Sequence, residues 1–419
     1  MLRGSSDSGR RREWKLQRDE SGDEFAWRMR RSKRRASGFR SEEASPATVA
    51  TEMIRPRTAL PRLRSLDAFR GLTVAAMIVV NSPGGDEHGY WLLQHAAWNG
   101  LQPADLIFPA FLVIAGVAIP LSLAPALARA TPRRQLLGKI WRRTRIIFGL
   151  GLLLNALPWF DWNVLRILGV LQRIALCYGA AALIALYCDV RRQALIVVGL
   201  LVGYWALLVA AAPDHVAAAL LPGTDFGAAL DRALMDGHLH DVTWDPEGLL
   251  STLPAIATTL LGVLAGGWVL RAPTPRHRVI GLLAGGATLL GLGLALAPWL
   301  PLNKSLWTSS FALLSSGCAL LGFGCCYWLV DVRGRQSWTT PLLVFGMNPL
   351  LAYFLSSLAT KFLYLVPLHG EPLQAWLFDN AFTPFAAAPN ASVIYAVTYT
   401  GLWFTLMARL YRRGVFVSI

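Results

Sequence analysis

From Leu66 onward the chain alternates apolar blocks of about 20 residues with short polar gaps rich in Gly, Pro and Arg. A helix rises about 1.5 Å per residue, so blocks of this length match the ~30 Å hydrocarbon core of a bilayer. The pattern predicts ten helices near 66–82, 104–127, 142–158, 167–188, 193–212, 249–270, 277–298, 306–330, 340–365 and 391–411. The expected fold is all-α, a polytopic membrane bundle of about ten transmembrane helices. Residues 1–60 break the pattern. They carry Arg10, Arg11, Arg12, Arg30, Arg31, Lys33, Arg34 and Arg35 with acids between them and no apolar run. Such a stretch buries too little apolar surface to fold alone, so it reads as a basic, disordered cytoplasmic tail before a membrane domain at 61–419. No apolar segment follows the charges, which excludes a signal peptide. Met53 opens MIRPRTALPRLRSLDAFRG, so the preceding stretch also reads as a gene-start extension.

Composition supports the membrane reading. The chain is 54% hydrophobic and 16% charged, against about 25% charged in an average soluble chain. Five cysteines in 419 residues exclude a disulfide-dense scaffold. A net charge of +15 raises the question of nucleic acid, but the basic residues cluster in the first 60 residues and in the gaps between apolar blocks. That distribution belongs to a lipid-embedded chain and not to a nucleic-acid binder. One set of gaps holds Arg129, Arg133, Arg134, Lys139, Arg142, Arg143, Arg145, Arg191, Arg192, Arg271, Arg276, Arg278, Arg333, Arg335, Arg412 and Arg413. The opposite set holds Arg166, Arg232 and Lys304. The positive-inside rule makes the first set cytoplasmic and, with ten spans, places both termini there. His88, His95, His215, His238, His240 and His369 then fall outside, on the longer loops, where recognition chemistry is expected.

The polar residues that interrupt this pattern are the candidates for chemistry. Asp67 and Arg70 open helix 1, as an i,i+3 pair or with Arg70 turned into the bundle. Asn81 ends that helix, and Pro83, Gly84 and Gly85 follow as a tight turn. His95 lies between Trp91 and Trp98, with Asn99-Gly100 as a turn signal and Asp105 opening helix 2. An outward histidine is either a general base or an interfacial residue. Gln172 and Arg173 lie inside helix 4. Asp245 and Glu247 open helix 6, as a cap or as a pair of carboxylates at an outer mouth. Asn303 and Lys304 open helix 8, and Asn348-Pro349 interrupts helix 9. Nothing has metal-ligand spacing: His238 and His240 share a loop with no cysteine, and the five cysteines read as packing thiols.

Taken together, SLDAFRGLT, Asn81 followed by HAAWNG and ADLIFP, RILGVLQRIALCY, DPEGLLSTLPAI, LNKSLWT and GMNPLLAY resemble the catalytic membrane domain of the heparan-alpha-glucosaminide N-acetyltransferase family and its bacterial NagX-type relatives. The resemblance covers about residues 62–413. The large lumenal domain of the animal enzyme is not expected in this sequence, a departure that bears on heparan sulfate as the substrate and not on the transfer chemistry. The resemblance implies transfer of an acetyl group from cytoplasmic acetyl-CoA to the amino group of a glucosamine-type sugar on the periplasmic side, across a bacterial inner membrane. It makes His95 the catalytic histidine and Asn81 its associated asparagine. Asp105, Trp98, Asn99, Asp245, Glu247, Asn303, Lys304 and Asn348 become candidates for the acceptor site. Asp67, Arg70, Gln172 and Arg173 become candidates for the acetyl-CoA site, with no metal. The expected partners are an amino-sugar or oligosaccharide acceptor and the lipid bilayer, a homodimer is compatible with both, and no nucleic acid is expected. His95 acts either as a base toward the attacking amine or as the acetyl carrier. Two other functions share the pattern: an inner-membrane transporter of amino sugars or glycan fragments, and an O-acetyltransferase of a surface polysaccharide.

Overall fold

A computed structural model of the protein describes residues 14–18, 25–29, 62–84, 89–210 and 220–417. The chain divides into two compact units, Met1–Arg57 and Thr58–Ile419. In the first, strands β1 (Trp14–Arg18) and β2 (Phe25–Met29) pair antiparallel. The expectation of a disordered tail otherwise falls outside the described residues, as do Gly85, His88 and His215.

The second unit is helical. Its long helices are α1 (Arg64–Val80), α2 (Ile107–Ala128), α3 (Arg133–Ala156), α4 (Val170–Tyr187), α5 (Val190–Ala210), α7 (Thr252–Arg271), α8 (Pro275–Leu296), α9 (Ser309–Tyr327) and α13 (Ala388–Arg412). A short α6 (Phe226–Met235) lies between α5 and α7. The last expected interior helix is broken into α10 (Thr340–Met347) and α11 (Pro349–Leu365). A two-residue hairpin, β3 (Pro367–Leu368) with β4 (Glu371–Pro372), and α12 (Leu373–Ala381) follow before α13. All ten expected segments are therefore helical. Among the described residues, seven helices are long and apolar enough to cross a membrane, and an eighth counts if α10 and α11, bent by 69°, form one span. Of the other two, α1 has 17 residues and α3 begins with a basic run.

Two boundaries differ from the pattern. Helix α3 starts at Arg133 and not near 142, so Arg133, Arg134, Lys139, Arg142, Arg143 and Arg145 lie on its first turns and not in a loop. Hydropathy cannot reveal this, because arginine and lysine are good helix formers whose charge hides the helix from an apolar window. Helix α7 starts at Thr252, so Asp245 is not its cap. The carboxylate instead accepts the backbone N–H of Glu247 at 2.8 Å and of His240 at 2.9 Å.

Packing is close because lipid offers no hydrophobic drive between helices, and small residues let backbones approach. A Cβ on Gly262 of α7 would sit 2.1 Å from the Val113 carbonyl oxygen of α2. One on Gly71 of α1 would sit 1.7 Å from the Leu342 carbonyl oxygen of α10. Two buried hydroxyls of α7 are satisfied within that helix: Thr258 donates to Pro254 O at 3.0 Å and Thr259 to Ala255 O at 3.1 Å. Helices α5, α8 and α13 turn Leu195, Ile280, Leu294 and Leu402 outward, the exposure that lipid covers.

Candidate active site

One end of the bundle gathers the C-terminal end of α1, the start of α2 and the loop before α9. Residues 89–102 form an irregular loop there, with no apolar periodicity to propagate a helix. Pro103–Leu106 then makes a 3-10 turn into α2, closed by Asp105, whose Oδ2 accepts the Gln102 N–H at 3.0 Å and the Ala96 N–H at 3.2 Å. Its Oδ1 lies 2.8 Å from His95 Nδ1. A carboxylate only accepts, so this contact places the ring proton on Nδ1 and leaves Nε2 with the lone pair. The Asp105 side chain is 1% exposed and that of His95 is 44% exposed, so a buried anion orients an accessible ring. His95 also lines a cavity with Val79, Val80, Pro83, Leu93 and Ser392.

The loop before α9 completes this end. Gly100 N–H donates to Leu302 O at 2.8 Å, and the Asn303 amide donates to Asn99 Oδ1 at 3.1 Å. Lys304 Nζ lies 3.0 Å from His95 Nδ1, 3.3 Å from Nε2 and 3.5 Å from Asp105 Oδ1. Burial pulls the Lys304 amine below the usual lysine range, against the opposing pull of Asp105 and Glu247. The loop is held in place by Trp307, a buried residue at φ 52°. That conformation is rare for a bulky side chain and persists only where its surroundings enforce it. Here Phe108 and Phe311 pack edge-on at 5.3 and 5.5 Å, and the indole donates to Thr258 Oγ1 at 3.1 Å.

Beside this centre, Arg166 clamps Asp245 through two bonds of 2.9 and 2.7 Å and reaches Glu247 at 2.5 Å. Desolvation disfavours the Arg166 cation, but the two carboxylates outweigh it and raise its pKa. Trp98 packs edge-on against Trp244 at 5.1 Å and donates to Leu220 O at 2.6 Å. Asn81 caps the C-terminal end of α1 and opens onto a different cavity, with Met77, Ser82, Tyr353, Ser356 and Thr360. No hydrogen bond joins it to His95 among the described residues. Asn348 is remote from this group. Its amide donates to Val415 O at 3.0 Å and accepts from Val417 N–H at 2.8 Å, which pins the C-terminal segment.

Toward the other end of the bundle a cavity of about 160 Å³ is lined by Arg70, Ser122, Arg143, Tyr178 and Pro349, among others. Arg70 pairs with Asp67 at 3.1 Å, and Asp67 also accepts from Arg62 at 2.6 Å. The Arg143 guanidinium stacks over Tyr178 at 4.5 Å, and its buried Nε has no partner. Gln172 and Arg173 do not line this space. Both are buried, and Arg173 donates to Ser251 Oγ and Gly248 O beside Trp307. Of the four residues expected at the donor, Arg70 alone lines the cavity. Arg166 is the residue that sequence reasoning passed over. Its signal was position, as one of three cations on the side poor in them.

The chain is a polytopic helical bundle of membrane type, with a histidine–aspartate pair at one end and a guanidinium-lined cavity toward the other. The model of heparan-alpha-glucosaminide N-acetyltransferase, catalytic, matches residues 62–291. The chain belongs to that family. It is 31% identical to the human heparan-alpha-glucosaminide N-acetyltransferase over 417 residues, covering 86% of this chain. It is 28% identical to the mouse protein of that name, covering 90% of this chain. The chain spans 60% and 63% of the length of these two relatives.

Proposed function

We propose that this protein is a multi-pass acetyltransferase of a bacterial inner membrane, which moves an acetyl group from cytoplasmic acetyl-CoA to the amino group of a glucosamine-type sugar on the periplasmic face. Both termini are cytoplasmic in this reading, and the His95 end faces outward, a reading that the asymmetry of basic residues supports. The observation that carries the proposal is the 2.8 Å contact between His95 Nδ1 and the buried Asp105 carboxylate. It leaves Nε2 as a base or nucleophile at the mouth of a cavity.

The donor is anionic and cannot cross lipid, so its charged part stays on the cytoplasmic side while its acyl end reaches inward. The Arg70–Arg143 cavity fits that requirement, because Arg143 Nε is a buried donor without an acceptor. Arg70 and Arg143 would bind phosphate oxygens there, and the thioester supplies the activated acyl group. Arg70 and Asn81 are eleven residues apart near one helix, roughly 16 Å along its axis. The cavity bounded by Asn81, Ser82, Tyr353, Ser356 and Thr360 lies along the same helix and offers polar lining between the two ends.

At the His95 end the attacking amine must be neutral. His95 Nε2 takes its proton as the N–C bond forms, and the leaving sulfur receives a proton as the C–S bond breaks. Alternatively Nε2 first accepts the acetyl group and passes it to the amine. Asp105 holds the ring in the productive tautomer in both routes. Asn81 is the second polar group at the end of α1 and is assigned to orienting the acetyl oxygen. Trp98, Asn99, Asn303, Asp245 and Glu247 border the space for the sugar.

The test is acetyl transfer from labelled acetyl-CoA to glucosamine by purified protein in detergent. N-acetylglucosamine supports the proposal. Uptake of the sugar by proteoliposomes without transfer indicates a transporter, and ester products indicate an O-acetyltransferase.

A further inference from the structure

The cavity that His95 borders stands apart from the two along the donor route. It encloses about 320 Å³ between the end of α1, the loop at 89–95 and α13, within the range of small-molecule sites, roughly 300–1,000 Å³. The other two both touch α11, one through Pro349 and Leu350, the other through Tyr353, Ser356 and Thr360. Among the described residues the His95 cavity shares no lining side chain with either. Its walls are tied together: Tyr90 on the loop donates to Asn390 of α13 at 2.7 Å, and Gln374 of α12 donates to Pro83 O at 2.8 Å. The polar lining, Gln94, His95 and Ser392, belongs to the loop and the start of α13. Val79 and Val80 of α1 and Ala396, one turn further along α13 than Ser392, give a wall without polar side chains, and Leu93 adds a fourth apolar group.

We propose that this cavity receives an apolar substituent of the acceptor, so that the preferred substrate is a glucosamine with a hydrocarbon aglycone on C1 and not the free sugar or the end of a polar glycan. The proposal rests on the acetyltransferase reading and names its acceptor class. The amine of glucosamine is on C2, next to C1. With that amine at His95, the substituent on C1 begins within three bonds of the reacting nitrogen and lies beside the ring, where the cavity is. A second sugar there would set hydroxyls against Val79, Val80, Leu93 and Ala396, which offer no side-chain hydrogen bond, and burying a polar group unpaired is costly. A hydrocarbon chain gains from the same surface. The acetyl group arrives along the α11 cavities and needs room for a single methyl, so the donor does not account for this space. The reaction itself is unaltered: the N–C bond forms, the C–S bond breaks, the amine proton passes to His95 and the leaving sulfur receives a proton.

The test measures acetyl transfer by protein in nanodiscs to glucosamine and to its methyl, propyl and butyl glycosides, both anomers of each, short enough to stay in water. From methyl to butyl, kcat/KM rises about two- to fourfold per methylene, roughly tenfold or more in all. Val80→Thr keeps the shape of the wall and adds a hydroxyl, and Ala396→Leu fills the space. In both, the butyl-to-methyl ratio falls toward one, and the ratio cancels any general loss of activity. Val79→Thr replaces Ala396→Leu if the latter elutes as aggregate. Equal kcat/KM for methyl and butyl glycosides in the unsubstituted protein overturns the proposal, as does transfer to glucosamine alone or a ratio retained in both folded variants. A preference for butyryl- over acetyl-CoA that the same variants abolish also overturns it and gives the cavity to the acyl group. If no acceptor is acetylated, the acetyltransferase reading fails, and labelling decides the cavity by itself. A glucosaminide with a diazirine on its butyl chain then labels α1 near Val79 or α13 near Ala396, and the butyl glycoside protects while the methyl glycoside does not. Labelling only elsewhere, or equal protection by both, overturns the proposal.

Discussion

The two ends of the bundle solve opposite problems. At the His95 end nearly every polar group has a partner: His95 with Asp105, Lys304 with both, Asn303 with Asn99, Arg166 with Asp245 and Glu247. At the Arg70 end a cavity is lined by two guanidiniums, one of which keeps a buried nitrogen without an acceptor. A closed network is rigid and fixes the geometry of its members, which suits a reacting group. An open donor set costs stability until something anionic fills it, which suits a binding site. The difference separates the two halves of the proposed reaction along the same helix α1.

Substitutions break this comparison at different points. The largest effect is expected from His95→Ala, which should lower turnover by the ~10²–10⁴-fold a general base contributes, or to background if the ring carries the acetyl group. Binding of CoA at the far end should stay unchanged, and single-turnover transfer normalised to folded protein measures both. Asp105→Asn keeps the acceptor for the Gln102 and Ala96 N–H groups but removes the charge that orients the ring. We expect a loss of about 10–100-fold, the range for outer partners of functional histidines, read as kcat with KM for the donor unaltered. Arg143→Met should show the reverse split. The KM for acetyl-CoA rises by roughly tenfold, the equivalent of about 1.4 kcal/mol in a charge-assisted contact, while kcat holds.

The smallest effect sharpens the picture of the outer loops. Asp231, on the short helix α6, is 2% exposed, and burial pushes its carboxyl up to about 6. The folded state therefore holds a proton that the unfolded chain has already released between about pH 4 and 6. Stability from this group is complete below that window and lost as pH rises through it. Asp231→Asn keeps an oxygen to accept the Leu249 N–H, bonded at 3.0 Å in the parent. It should raise the unfolding midpoint at pH 7.5, on the order of 2 kcal/mol, and change it less at pH 5. A midpoint that falls equally at both values would count against the raised pKa.

Much of this was legible in the sequence because it is local or periodic. Apolar blocks of helical length located the ten long helical segments among the described residues but not the short α6 and α12, and His95 and Asp105 stand in one short motif. Boundaries failed where charge masks a helix, as at Arg133–Arg145, and where a carboxylate finds a distant partner, as Asp245 does in Arg166, 79 positions away. Asn348 looked like a ligand-facing break and instead pins the C-terminal segment at Val415 and Val417. Lys304 was visible as a rare cation on its side, but its contact with His95 depends on how two distant loops close together, which no periodicity encodes. Gln172 and Arg173 stood out as polar residues in an apolar helix. Arg173 satisfies the start of α7 and neither residue lines the cavity, a distinction that needs the packing of α4 against α7.

The most direct test of the central claim uses proteoliposomes loaded with labelled acetyl-CoA, with glucosamine supplied only outside and the oriented fraction established by protease protection. The account predicts N-acetylglucosamine in the outer medium, label lost from the lumen in equal amount, and neither with His95→Ala. Product formed equally well by folded His95→Ala protein, or glucosamine carried inward without acetylation, would contradict it.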